Sequence, residues 1–315
     1  MDLLDRFRGC LFGLAVGDAL GMPTEGYTAQ EIKAKFGLVS EMLPAPEGHF
    51  HSGLLAGQFT DDTEETLLLA ESLIEASGFS PDRFAEKLAA WGATWTLDER
   101  LNRGVGFATR SAVESIIAGS AWQQSGLAIP TCGAAMRAAP IGLLYHPDLN
   151  IVKSYADLQS LPTHTSAAAR AGAVAVAVGV ALGTAGFSRD VIFRNAASQA
   201  SRLDAEFAER LLWVGSLLDL SPEDAMGLIR NSPLAMETVP AAFYCFLKFE
   251  PKEALIMAAS SGGDTDSIAC IAGSLFGAAF GASWIPESWL TAVEGKERIE
   301  NAARGLCRLS ASFCR

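Results

Sequence analysis

The stretch GCLFGLAVGDALG, Gly9 to Gly21, decides what kind of molecule this is. Phe7, Leu11 and Leu14 share one face of a helix. Gly9, Gly13, Gly17 and Gly21 recur at every fourth position. Four glycines cost helix propensity, about 1 kcal/mol each relative to alanine. They also leave a stripe free of side chains, along which another helix or a ligand can approach the backbone closely.

Helical patterns dominate the rest of the chain. They cover 82–95, 107–120, 133–144, 166–184, 189–217, 222–230, 238–248, 252–259, 267–280 and 287–305. Asp62 and Glu65 resemble a capping box before the apolar run Leu67-Leu68-Leu69. Residues 38–43 carry the one weak strand pattern. Segments 36–60 and 122–132 read as the longest loops, and long irregular loops in a helical domain are often functional. The expectation is an all-α fold, a compact multi-helix bundle forming a single domain over 1–315.

The chain has 315 residues, half of them hydrophobic, and a formal net charge of −12 from 36 acidic and 24 basic residues. That balance argues against nucleic acid as a partner, which would need a basic stripe to track phosphates. No polybasic patch suggests a membrane surface, and no signal peptide is read at MDLLDRFRGC. Ala171 to Gly186 is apolar but only 16 residues long, so a buried helix is expected rather than a span. Cys10, Cys132, Cys245, Cys270, Cys307 and Cys314 form no C-x-x-C pair. They read as reduced core thiols in a reducing, cytoplasmic compartment.

Two further stretches carry chemistry. FTDDTE (Phe59 to Glu64) and SSGGDTDS (Ser260 to Ser267) each lead from a loop into an apolar helix. Aspartate and threonine at such an entrance satisfy free amides, so each motif alone reads as a helix cap. Together, Asp61, Asp62, Asp264 and Asp266 exceed what two helix starts need. Hard divalent cations are held by several oxygens, and four carboxylates can neutralise two such ions. Asp264 and Asp266 point about 200° apart on a regular helix, so they converge only if the chain is still turning, which Gly262 and Gly263 allow. An EF-hand is excluded, because Ile268 and Leu275 stand where ligands belong. His49, His51, His146 and His164 lack H-x-x-x-H spacing, so no zinc site is expected. There is no nucleophile elbow, no Walker loop and no dinucleotide fingerprint at Gly104-Val105-Gly106.

GLAVGDALGMPTEG, FTDDTE, RGVGFAT (Arg103 to Thr109), CGAAMRAAPIGLLY (Cys132 to Tyr145), THTSAAARAGA (Thr163 to Ala173) and GGDTDSIACIAG occur in this order. The ordered set resembles the ADP-ribosylglycohydrolase family, which includes the dinitrogenase reductase-activating glycohydrolases. The resemblance implies an all-α orthogonal bundle with a central dinuclear site for two divalent cations, Mg²⁺ or Mn²⁺. Thr60, Asp61 and Asp62 match its metal ligands on one side, and Asp264, Asp266 and Ser267 on the other. It implies hydrolysis of the bond between ribose C1″ and an acceptor, with an ADP-ribosylated protein or ribosyl small molecule as substrate. Asp61 and Asp62 would take part in catalysis with Glu25, which read alone is a solvated loop acid. His164, read alone a satisfied helix-start histidine, matches a residue near the substrate phosphates. Gly104, Gly106, Cys132, Gly133, Ser261, Gly262 and Gly263 match substrate-binding positions.

Two departures qualify this. Arginine-specific members carry an acid where this chain has Gly104. Many relatives read GNG where this chain has Thr131-Cys132-Gly133, and Pro130 lacks an amide donor, so weaker diphosphate recognition is expected. A different ribosyl or nucleotide-like substrate is the alternative, and a non-catalytic crystallin-like binding or structural protein a third reading.

Overall fold

The glycine stripe brings two helix backbones into direct contact. In the computed structural model, which describes residues 2–313, the helix Leu3–Gly21 runs antiparallel to the helix Thr265–Phe280. A Cβ built on Gly13 would stand 2.5 Å from the Gly273 carbonyl oxygen, one on Gly17 2.1 Å from that of Ala269, and one on Gly21 2.4 Å from that of Thr265. Gly273 and Gly277 answer from the other side, each facing the backbone of the first helix. The two main chains therefore touch without intervening side chains, which a larger residue at any of these positions would prevent.

This pairing fixes the site. Being antiparallel, it sets the C-terminal end of the first helix beside the N-terminal end of the second. The Thr265 hydroxyl donates to the Gly21 carbonyl at 2.9 Å. Glu25, four residues beyond that end, thus arrives beside Asp264 and Asp266. The apolar run is the helix Ala167–Thr184, and 89% of it is buried inside the protein. It packs against Leu149–Ser160, Arg189–Ala200 and Thr265–Phe280, so a core position explains its composition.

The all-α expectation holds: among the described residues the structure is 68% helical and has no strands. Residues 38–43 are irregular rather than a strand, and the amide of buried Val39 donates to Ser260 Oγ at 3.0 Å instead of to a ladder. Segment 36–60 has no helix, whereas 122–132 contains the short helix Trp122–Ser125. The helix expected over 189–217 breaks after Ala200, where Asp204 caps Ala205–Trp213 by accepting the Phe207 amide at 2.9 Å. That over 287–305 breaks at Gly295, which has φ 64°. The helices Ala29–Lys35 and Leu149–Ser160 were not anticipated. Cys10, Cys132, Cys245 and Cys270 are buried free thiols and Cys307 is half-buried, while Cys314 lies outside the described residues.

Candidate functional site

The two aspartate motifs enter their helices without using their carboxylates as caps. Thr60 is the N-cap of Asp61–Glu75, its hydroxyl accepting the Asp62 amide at 3.3 Å. Asp18, reaching across from the glycine-striped helix, does the rest. Its carboxylate accepts the Thr60 amide at 2.9 Å, the Thr63 amide at 2.9 Å and the Thr63 hydroxyl at 2.6 Å. The Asp61 amide donates to the Arg103 carbonyl at 3.1 Å. The capping box expected at Asp62 and Glu65 is not there, because Glu65 is buried and ion-paired with buried Arg137. The capping box lies instead at Thr28 and Glu31.

At the second entrance Gly262 and Gly263 have φ 81° and 72°, and the chain is still turning at Asp264, with φ −86° and ψ 58°. A Cβ on Gly263 would fall 2.0 Å from the Asn231 carbonyl, which accepts the Asp264 amide at 2.7 Å. Asn231 Nδ2 holds the Ser261 and Gly262 carbonyls at 2.7 and 2.6 Å. Asp264 makes no side-chain cap. Its Oδ2 accepts from the Thr238 hydroxyl and lies 3.2 Å from Cys132 Sγ, which is also 3.6 Å from Ser267 Oγ.

Asp18, Asp61, Asp62, Asp264 and Asp266 are buried, and Glu25 is partly so. Burial raises the pKa of all six carboxyls. For Glu25, Asp61, Asp62 and Asp266, repulsion from neighbouring carboxylates raises it further, and Asp61 and Asp62 both feel Asp266 across the site. Among the described residues no basic side chain answers them: Arg137 is committed to Glu65, and burial pushes the His51 imidazole down to about 4, leaving it neutral. Asp62 Oδ2 and Asp266 Oδ1 are buried without a hydrogen-bond partner. Buried charges require partners, and an all-oxygen set of carboxylates with Thr60 and Ser267 hydroxyls nearby suits Mg²⁺ or Mn²⁺.

Around this cluster the structure places the other expected residues in different ways. Glu25 is the most open of the six, 20% exposed, and lines a cleft of about 550 Å³ with Gly26, Arg230, Asn231, Leu234 and Gly263. His51 Nε2 lies 2.6 Å from Glu25 Oε2, and His49 Nε2 lies 2.7 Å from the Glu25 carbonyl. Gly104 is where the His51 ring rests; a Cβ there would come 2.2 Å from its Cε1. Gly106 faces open space. His164 is 1% exposed, so it does not itself face the cleft. Thr163 Oγ1 accepts from Arg137 at 2.7 Å and lies 2.8 Å from His164 Nδ1. Arg137 can only donate, so the Thr163 hydroxyl accepts from it, and the same hydroxyl lies 3.5 Å from the Ser160 carbonyl. On the ring's other side His164 Nε2 lies 2.9 Å from Thr131 Oγ1, so the imidazole bridges the two threonine hydroxyls. Gly133 leaves room for that imidazole.

The sequence patterns do not mark Asp18, His51 and Thr131 as site residues. Asp18 lay within a helical pattern, and the partners of His51 and Thr131 are distant in sequence.

The sequence model of the family described as ADP-ribosylglycohydrolase matches residues 1–313. The chain is 30% identical to the mouse (Mus musculus) protein ADP-ribosylhydrolase ARH3 over 344 aligned positions, covering 97% of this chain and 92% of that one. It is 29% identical to ADP-ribosylarginine hydrolase Tri1 of Serratia proteamaculans, covering 97% and 80%. A solved structure described as an ADP-ribosylglycohydrolase-related protein complex matches with a TM-score of 0.75 and 28% identity, over 98% of this chain and 99% of that one.

Proposed function

The chain belongs to the ADP-ribosylglycohydrolase family, and on that premise we propose that it cleaves the ribose C1″ glycosidic bond of an ADP-ribosylated side chain or related conjugate with two divalent cations, Mg²⁺ or Mn²⁺. The observation that carries this is the gathering of four carboxylates at two helix entrances with those of Asp18 and Glu25, and, among the described residues, no basic side chain to neutralise them. Thr60, Asp61 and Asp62 would hold the ions from one side, and Asp264, Asp266 and Ser267 from the other. Bound there, the ions supply positive charge to orient ribose hydroxyls and to lower the pKa of a water.

The remaining work falls to side chains. Glu25 is the one carboxylate of the group that reaches the cleft, and His51 fixes its Oε2. It takes a proton from the attacking water or a hydroxyl, the task of a general base. Asp18 acts indirectly: by capping the helix at Asp61 it frees Asp61 and Asp62 from that task. Thr131, held by His164, offers its hydroxyl to the substrate. The His51 ring against Gly104 leaves no space for a side chain there. The acid of arginine-specific members is therefore excluded, and the acceptor proposed is a residue other than arginine.

A panel of ADP-ribosylated peptides tests this. Release of ADP-ribose with Mg²⁺ or Mn²⁺, lost with chelator, is expected, faster from a serine linkage than from an arginine one. No release from any linkage would overturn the reading.

One observation favours a second substrate class. The Cys132 amide donates to the Pro233 carbonyl at 2.9 Å, and Pro130 has no amide, so two backbone donors are lost to a diphosphate. Each lost charge-assisted hydrogen bond costs about 1.5–3 kcal/mol. Tight binding of free ADP-ribose by calorimetry would decide against a substrate lacking the diphosphate.

A further inference from the structure

Sequence spacing gives His51 no neighbouring metal ligand, but the fold does. Its Nε2 lies 2.6 Å from Glu25 Oε2 and 3.9 Å from Asp266 Oδ2, and the three side chains each bring one ligand atom to within 4.8 Å of the other two. Ligands of a tetrahedral zinc, with bonds of about 2.0–2.1 Å, stand roughly 3.3–3.4 Å apart. The two measured separations bracket that value. The His51 ring is buried, and its Nδ1 and the Oδ1 of buried Asp266 have no partner.

We propose that Glu25, His51 and Asp266 form a third cation site, one with a nitrogen donor, that takes zinc and withdraws Glu25 from the reaction. Imidazole suits zinc far better than magnesium, which prefers an all-oxygen shell. The ring binds as neutral imidazole, its proton passing to the unoccupied Nδ1. Asp266 then serves both the magnesium pair and the zinc, one oxygen towards each. Three protein ligands leave a fourth position open, the arrangement of an accessible zinc, and the partial exposure of Glu25 provides the way in from the cleft. The site itself does not depend on the substrate; only the inhibitory consequence rests on the proposed role of Glu25.

The test is a zinc titration of the magnesium-saturated protein against a chromophoric chelator. One zinc per chain is expected. Changing even a supporting residue of a metal site weakens binding 10–100-fold, so His51→Ala should weaken zinc by at least about 100-fold while magnesium content and melting temperature in magnesium stay as they are. Should that variant not fold, His51→Gln, closer in size, carries the same test. Cobalt in place of zinc gives a second readout, since its tetrahedral visible bands should appear in the unmodified protein and vanish in the variant. No zinc beyond the magnesium pair, or equal zinc affinity with and without His51, would overturn the proposal. Hydrolysis in magnesium alone is measured in parallel, so that failure of the hydrolase reading and failure of the zinc site appear in different experiments.

Discussion

The helix entrances at Thr60–Asp62 and at Gly262–Ser267 each carry a threonine and two aspartates and are held by different means. The first is capped from a distance: Asp18 satisfies two backbone amides of another helix, and Thr60 satisfies a third. The second is shaped by backbone, two glycines at positive φ locked by Asn231 and by the Tyr27 carbonyl, which accepts the Gly263 amide at 2.8 Å. In neither do the motif's aspartates cap the helix: Thr60 and Asp18 do so at the first entrance, and at the second no side chain does. The difference teaches that an acidic residue at a helix start can be kept free for chemistry in two ways, by a substitute cap as at Asp61 or by a turn that points the carboxylate elsewhere as at Asp264. It also separates residues that build the entrances from residues that use them.

Breaking the using residues gives the largest effect. Asp61→Asn and Asp264→Asn, one from each entrance, should each lower turnover by more than about 100-fold and lower bound metal, with the helical content kept. Metal analysis alongside the activity assay checks this, and full activity in either variant would remove that entrance from the site. Glu25→Gln should follow, with a loss of 10²–10⁴-fold in turnover and little change in substrate binding. A loss confined to KM would make Glu25 a binding residue only.

Breaking a building residue acts on stability instead. Asp18→Ala leaves the Thr60 and Thr63 amides unsatisfied and should cost about 1–3 kcal/mol, read as a lower denaturation midpoint even with metal present. Asp62→Asn removes a buried carboxylate with an unpartnered oxygen, so in chelator it should raise the melting temperature while abolishing stabilisation by metal. Opposite signs for these two substitutions would establish the division of labour; equal signs would erase it.

The smallest expected effect is on pH. The six carboxyls have folded-state pKa values raised above the unfolded ones. The folded protein therefore binds more protons, and its stability falls as pH rises from the ordinary carboxylate range near 4 towards the raised values. In chelator the melting temperature should decline from pH 5 to pH 8; saturating Mg²⁺ should flatten that slope. A slope unaffected by Mg²⁺ would show that the cluster and the cation do not meet.

The sequence by itself determined that one face of the first helix is free for a close approach, because a four-residue glycine period is local; that the partner is the helix Thr265–Phe280 came from the fold. It determined the helical class, through apolar spacing, and the pair of aspartate motifs, whose four carboxylates exceeded what capping needs. Only the tertiary structure decided what those carboxylates are free to do. Asp18 and Thr63 are 45 residues apart, Asn231 and Gly262 are 31, and Cys132 and Asp264 are 132. No periodicity connects such pairs. The placement of His51 on Glu25 depends on a loop with no repeating pattern, and the His164 ring is held by Thr163, whose hydroxyl accepts from Arg137, itself paired with Glu65 of the helix that begins at Asp61. Local sequence records which side chains can bind a cation; which of them are left unsatisfied is set by contacts that exist only after the chain has closed on itself.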